Sequence, residues 1–203
     1  MRQRTRLAGM LAAIALAAGL TLAGTGTARA DVTPPSGWAE IYSPYLHAQG
    51  ITLCFDDTNG STSSGTQVQL YHCHGYASNG APQRWVFIQP EDNNGNLIYD
   101  SDGSPVYEIY NLAAGLCLTA QNLLAGMPLT LGTCNRATTT GQIWWELPGV
   151  GSPTGPGFEI FPWPVNFSYG NCVAASNASG NNHTRLVMEP CDPGNTARVF
   201  RLG

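Results

Sequence analysis

One plan is written three times along this chain, and that repetition constrains the fold more than any other feature. Each copy opens with a short Glu-Ile-aromatic strand: Glu40-Ile41-Tyr42, Glu108-Ile109-Tyr110 and Glu159-Ile160-Phe161. A Gly-containing turn follows, then Cys and an apolar residue: Cys54-Phe55, Cys117-Leu118 and Cys172-Val173. A polar turn leads into a second apolar strand that ends in Cys73, Cys134 or Cys191. Each copy closes on an aromatic strand: Gln83-Arg84-Trp85, Gln142-Ile143-Trp144 and Arg198-Val199-Phe200. Self-similarity at this period marks units that cannot bury their apolar faces singly and must share one core.

Four short strands per copy make twelve. A closed barrel with a hairpin cap buries all their inward faces and leaves few open edges. The fold class expected is therefore all-β, a trefoil of three repeats at about 38–88, 106–147 and 157–203, with an insertion at 89–105. Trp85, Trp144 and Phe200 recur at the same place in each repeat and are expected in the core. Six cysteines permit 15 pairings. Their separations of 19, 17 and 19 residues favour one bridge within each repeat: Cys54–Cys73, Cys117–Cys134 and Cys172–Cys191. Each bridge closes a loop whose length implies about 3 kcal/mol in the chain-entropy model.

The N-terminus sets the compartment. Arg2, Arg4 and Arg6 precede an uncharged Leu/Ala-rich stretch from Leu7 to Gly24, and Ala28-Arg29-Ala30 stands just before Asp31. This is the layout of a cleaved secretory signal peptide, residues 1–30, rather than a membrane anchor. The mature chain is then a single domain, residues 31–203, exported, and free of the membrane once the signal is removed. An even Cys count fits an oxidising destination.

Charge excludes one class of partner. Four of the nine basic residues, all Arg, lie within 1–30, which leaves five against thirteen acidic ones and a formal charge of −8. Nucleic acid demands a basic face, which this surface does not have. Lys is wholly absent, in keeping with a bacterial, GC-rich source.

The segments Cys54-Phe55-Asp56, Gly65-Thr66-Gln67-Val68-Gln69-Leu70-Tyr71, Cys73-His74 and Gln83-Arg84-Trp85 resemble the ricin B lectin repeat. They are most similar to family 13 carbohydrate-binding modules attached to actinobacterial xylanases. The resemblance runs over the whole mature chain and is strongest in repeat one. It implies a shallow sugar site in a repeat that keeps three parts. An Asp two residues after the first Cys accepts hydrogen bonds from sugar hydroxyls. An aromatic residue two before the second Cys stacks on the ring. The Gln of the Q-x-W ending supports the Asp or touches the sugar. A carboxylate makes strong charge-assisted bonds to vicinal hydroxyls, and an aromatic face matches the C–H face of a pyranose.

Repeat one keeps these parts in Asp56, Gln69, Tyr71 and Gln83. Asp56 and Tyr71 are expected on the surface. Pro82 stands where ricin-like sites often carry Asn, and His74 or Asn79 is the candidate to supply the missing polar contact. An Asp beside a turn also caps turns, which is the structural alternative for Asp56. Repeat two has Thr119 and Gly132 at the key positions, and repeat three has Ala174 and Glu189. Both are expected to be silent.

His72-Cys73-His74 places two imidazoles two residues apart on a strand, but Cys73 is committed to a bridge and no further ligands sit at zinc-like spacing. Asp100-Ser101-Asp102-Gly103 lacks the distal Glu of a calcium loop, and with Asn93-Asn94-Gly95 it reads as two hairpin turns. No metal or other cofactor is expected. Scattered carboxylates and the absence of nucleophile motifs argue against an enzyme. The expected partner is a galactose- or xylose-containing glycan or polysaccharide. The alternative is a trefoil scaffold for protein–protein interaction or inhibition, favoured by the two degenerate repeats and the insertion.

Overall fold

The computed structural model describes residues 37–75, 78–135, 141–148, 157–163, 170–191 and 195–203. The signal-peptide expectation falls on residues 1–30, which lie outside these. Twelve strands appear among the described residues, four per repeat. Repeat one contributes β1 (Ile41–Ala48), β2 (Ile51–Asp57), β3 (Val68–His72) and β4 (Trp85–Ile88). Repeat two contributes β5 (Glu108–Asn111), β6 (Leu116–Ala120), β7 (Leu129–Gly132) and β8 (Trp144–Pro148). Repeat three contributes β9 (Phe158–Pro162), β10 (Asn171–Ala175), β11 (Thr184–Pro190) and β12 (Arg201–Leu202).

The first and fourth strands of the repeats form a ring. Between repeats, β4 pairs with β5, β8 with β9 and β12 with β1, all antiparallel. Within repeats, the bridges Ala39–Trp85, Tyr107–Trp144 and Phe158–Phe200 link first to fourth strand. Six links close the circuit, so the ring has no free edge, which satisfies strands too short to stand alone.

The middle strands form three hairpins, β2–β3, β6–β7 and β10–β11. They meet around a pseudo-threefold axis through Gln67–Thr130, Pro128–Val187 and Thr184–Leu70. The Gln67 amide nitrogen joins all three repeats. It reaches the carbonyls of Val68, Leu129 and Leu186 at 3.0, 2.8 and 3.4 Å, one equivalent position from each repeat.

Trp85, Trp144 and Phe200 are fully buried in one core that draws on all three repeats. Phe55 packs edge-on against Phe200 at 4.8 Å and against Trp85 at 6.3 Å. Each indole donates inward, Trp85 Nε1 to the Phe55 carbonyl at 3.1 Å and Trp144 Nε1 to the Leu118 carbonyl at 3.2 Å, so neither buried N–H is wasted. The three disulfides join the expected partners, with Cα–Cα distances of 5.0, 5.1 and 5.3 Å. Residues 89–105 form two turns, pinned by Glu91–Leu97 and Tyr99–Pro105 bridges, with Asp92 and Asp100 accepting from the amides two residues on.

Candidate functional site

Strand register decides which residues are equivalent. Opposite the first Cys of each repeat stand Tyr71, Gly132 and Glu189. Opposite the position two residues on stand Gln69, Thr130 and Val187, facing Asp56, Thr119 and Ala174.

In repeat one these residues gather at a cleft of about 220 Å³, lined by Asp56, Asn59, Gly60, Gln69, Tyr71, His74, Pro82 and His183. That volume is below the roughly 300–1,000 Å³ of pockets that engulf drug-sized ligands, and suits a single small ring.

Asp56 is held from both sides. Gln69 Nε2 donates to Oδ1 at 3.0 Å and Gln83 Nε2 donates to Oδ2 at 3.1 Å. The expectation of a surface carboxylate needs correction, because Asp56 is only 5% exposed. Two amides lock its orientation, and each oxygen keeps capacity for a further donor. Burial raises its pKa, while the bonds from Gln69 and Gln83 and the nearby His74 and His183 work in the opposite direction.

Gln83 is fully buried and acts from behind. Besides Asp56, its Nε2 donates to the His72 carbonyl at 2.8 Å, and its Oε1 accepts from the His74 amide at 2.8 Å. It therefore clamps Asp56 to the end of β3. Pro82 forms part of the cleft wall and packs near Gly60. The Asn79 side chain lies outside what the structure describes. His74 does line the cleft, its ring edge-on to Tyr71 at 5.5 Å. The strand ends at His72, so the two imidazoles are not held on one continuous strand face.

The turn after β2 belongs to the neighbouring residue. Asp57, not Asp56, begins it. The Asp57 side chain is fully buried, and its oxygens face the Gly60 and Ser61 amides without reaching hydrogen-bond geometry. Burial, reinforced by the charge of Asp56, pushes its pKa up to about 7.

His183 was not anticipated, because it comes from repeat three. Its Nδ1 lies 3.2 Å from Gln69 Oε1, and its ring centroid is 4.9 Å from that of Tyr71. The Asp56 carboxylate can only accept, so it fixes the Gln69 amide with Nε2 inward and Oε1 toward His183. Nδ1 of His183 then carries the hydrogen. Its backbone shows why a repeat comparison could have found it. His183 N donates to the Leu70 carbonyl, as Gly65 N does to Leu131 and Gly126 N to Met188. All three residues have positive φ, 87° at Gly65, 82° at Gly126 and 63° at His183. Two repeats use Gly at this left-handed position, and the third places an imidazole there at a cost of roughly 1–2 kcal/mol.

The other repeats keep a clamp and lack the pairing of Asp with an aromatic residue. Gln142 Nε2 donates to the Thr133 carbonyl at 2.9 Å and its Oε1 accepts from the Asn135 amide at 2.9 Å, copying Gln83, but Nε2 meets only the Thr119 hydroxyl. In repeat three Arg198 replaces the Gln. It is fully buried, donates to the Pro190 carbonyl at 3.0 Å and pairs with Glu159 at 3.5 Å. Ala174 leaves no carboxylate there. Among the described residues no group of three or more His, Cys, Asp or Glu is arranged to hold a metal.

No protein-family model and no curated protein matches the chain. Solved structures do. A designed threefold-symmetric protein, ThreeFoil, superposes with a TM-score of 0.58 at 18% identity, over 82% of this chain and 97% of that one. A ricin B-like lectin from Macrolepiota procera, in complex with lactose, gives 0.54 at 13% identity, over 84% and 98%. An exo-β-1,3-galactanase from Clostridium thermocellum gives 0.58 at 16%, over 83% of this chain and 30% of that one. The architecture of this chain is thus a β-trefoil, the fold it shares with these structures.

Proposed function

We propose that this chain is an exported, non-enzymatic carbohydrate-binding protein whose one sugar site lies on repeat one. The observation that carries this reading is the buried Asp56 carboxylate, oriented by two amides and set beside Tyr71 at the wall of a cleft. Adjacent hydroxyls of a sugar donate to Asp56, and the ring's C–H face lies on Tyr71. His74 supplies the polar contact that Pro82 lacks. The ligand is a galactose- or xylose-containing glycan. Some lectins that share the fold are described with GalNAc or lactose bound, which supports a neutral sugar. Three disulfides agree with export to an oxidising compartment.

Calorimetric titration of the wild type with galactose, lactose and xylo-oligosaccharides tests the reading. Asp56→Asn keeps the shape and one acceptor but removes the charge. It is expected to weaken binding roughly 10- to 100-fold, because bonds to charged groups contribute about 1.5–3 kcal/mol. Equal binding by Asp56→Asn places the site elsewhere. If the wild type binds no glycan, a scaffold for protein contacts becomes the better reading. Leu97 and Tyr99, exposed on the insertion at 46% and 49%, are the surface that would then matter.

A further inference from the structure

We infer that His183 of repeat three is a ligand-contacting, specificity-determining residue of the repeat-one site. The inference rests on the carbohydrate reading above and extends it, since it makes the site a joint product of two repeats. Three independent observations meet at this residue.

The first is backbone conformation. The chain turns identically in all three repeats, with the same amide-to-carbonyl bond, yet only here does a residue with a side chain take the left-handed conformation. A Cβ at Gly65 or Gly126 would meet nothing within 4 Å, so glycine there is required by φ and not by crowding. Strain of this kind persists where the surroundings hold it, and it concentrates at binding sites. The imidazole stands exposed, and it meets the cleft residues Gln69 and Tyr71 rather than the core.

The second is orientation. Asp56 fixes Gln69, and Gln69 fixes the Nδ1–H of His183. Nε2, on the far side of the ring, engages no group among the described residues and offers a lone pair. A hydroxyl donor on the ligand satisfies it. Asn182 secures the loop from the other end, its Oδ1 accepting from the His72 amide at 3.0 Å.

The third is placement. The ring lines the cleft and leans on Tyr71 with an interplanar angle of 52°, and His74, which lines the same cleft, meets Tyr71 edge-on. A sugar stacked on Tyr71 is therefore flanked by two imidazoles. A ring hydroxyl that reaches Nε2 while its neighbours reach Asp56 selects among stereoisomers that differ in the direction of that one hydroxyl. Losing a matched polar contact discriminates more strongly than losing a methylene.

The test exploits the strain. His183→Gly restores the residue found in the other repeats, so the protein is expected to melt about 2–4 °C higher. Its affinity for the best of galactose, lactose and xylo-oligosaccharides should fall about tenfold, equal to about 1.4 kcal/mol. Selectivity between epimeric sugars should narrow at the same time. His183→Asn tolerates the left-handed conformation but has no ring, and it should lose affinity without the gain in melting temperature. Wild-type affinity and selectivity in His183→Gly would overturn the inference while leaving the carbohydrate reading intact. No glycan binding by the wild type would overturn both. Loss of affinity accompanied by a lower melting temperature in His183→Gly would assign His183 to the fold and overturn its role as a contact.

Discussion

Repeats one and two carry the same clamp, and they differ in what the clamp holds. Gln83 and Gln142 make matching bonds to the carbonyl before the second Cys and to the amide after it. Behind Gln83 lies a carboxylate that the protein buries. Behind Gln142 lies a threonine whose hydroxyl turns back to the Cys117 carbonyl at 2.9 Å. The next position sharpens the contrast. Repeat two has Ala120 and repeat three has Ala175, both in the core, whereas repeat one buries Asp57. The scaffold bonds are common property, and at these two positions only repeat one buries carboxylates, whose desolvation it must offset.

The largest expected effect follows from Asp57. Its carboxyl ionises near 3.8 in an ordinary setting and near 7 in the fold. Between those values the folded protein holds a proton that the unfolded chain has released. Stability is thus highest below about pH 3.8 as far as this group is concerned, and declines as pH rises toward 7. Asp57→Asn should remove that slope and raise stability above pH 7 by up to about 4 kcal/mol, with little change near pH 4. Urea titrations at pH 4 and pH 7.5 measure it. A gain of equal size at both values would show that ionisation of Asp57 is not the cause.

Next comes the shared framework. Replacing both members of any one disulfide by Ala should cost about 3 kcal/mol, nearly the same for each repeat because the loops are of similar length. Binding should respond unequally. Cys54 pairs in register with Tyr71, so loss of the first bridge should loosen Tyr71, the proposed sugar platform, while loss of Cys117–Cys134 or Cys172–Cys191 should leave affinity unchanged. Melting curves and titrations on the three double variants separate the two effects, and a uniform drop in affinity would break the assignment of binding to repeat one.

Tyr71→Ala is expected to weaken glycan binding about two- to tenfold, the contribution of one aromatic face beyond its area. The half-buried Tyr71 sits over no core residue of the main cluster, so stability should change little. A strong loss of stability with unchanged affinity would make Tyr71 a packing residue.

What the sequence revealed, and what it hid, follows the same division. The disulfide pairing, the four strands per repeat and the buried Trp85, Trp144 and Phe200 were legible, because each is stated three times and a threefold fold must treat the copies alike. The Asp56–Gln69–Tyr71 grouping was legible because its members lie within one hairpin. The burial of Asp56 was not, since it depends on Gln83 closing over it from 27 residues away. His183 was hidden by a separation of 114 residues from Gln69, although its alignment with Gly65 and Gly126 was available as a signal. Arg198 stands where the other repeats have Gln83 and Gln142. It is a substitute clamp, its charge matched by Glu159 of the same repeat's opening motif.

The smallest effect asks whether repeat two has closed its cleft for good. Gly132 occupies the place of Tyr71, and a Cβ there would stand 2.6 Å from the Thr119 hydroxyl and 3.1 Å from Gln142 Nε2. Thr119 would have to rotate, giving up its bond to the Cys117 carbonyl and leaving Gln142 with one partner fewer. Such bonds contribute about 1 kcal/mol each, against roughly 0.4–1 kcal/mol gained when Ala replaces Gly in the unfolded chain. Gly132→Ala should therefore destabilise the protein by about 1–1.6 kcal/mol. In a Thr119→Ala background the hydroxyl is gone and the nearest conflict with it, so the same substitution should become neutral or slightly stabilising. That change of sign, read from a double-mutant cycle of melting free energies, would show that Thr119 and Gly132 are energetically coupled at the place that Asp56 and Tyr71 take in repeat one. Additive effects would mean that the two positions decayed separately, and that an Asp at 119 with an aromatic residue at 132 could reopen the site.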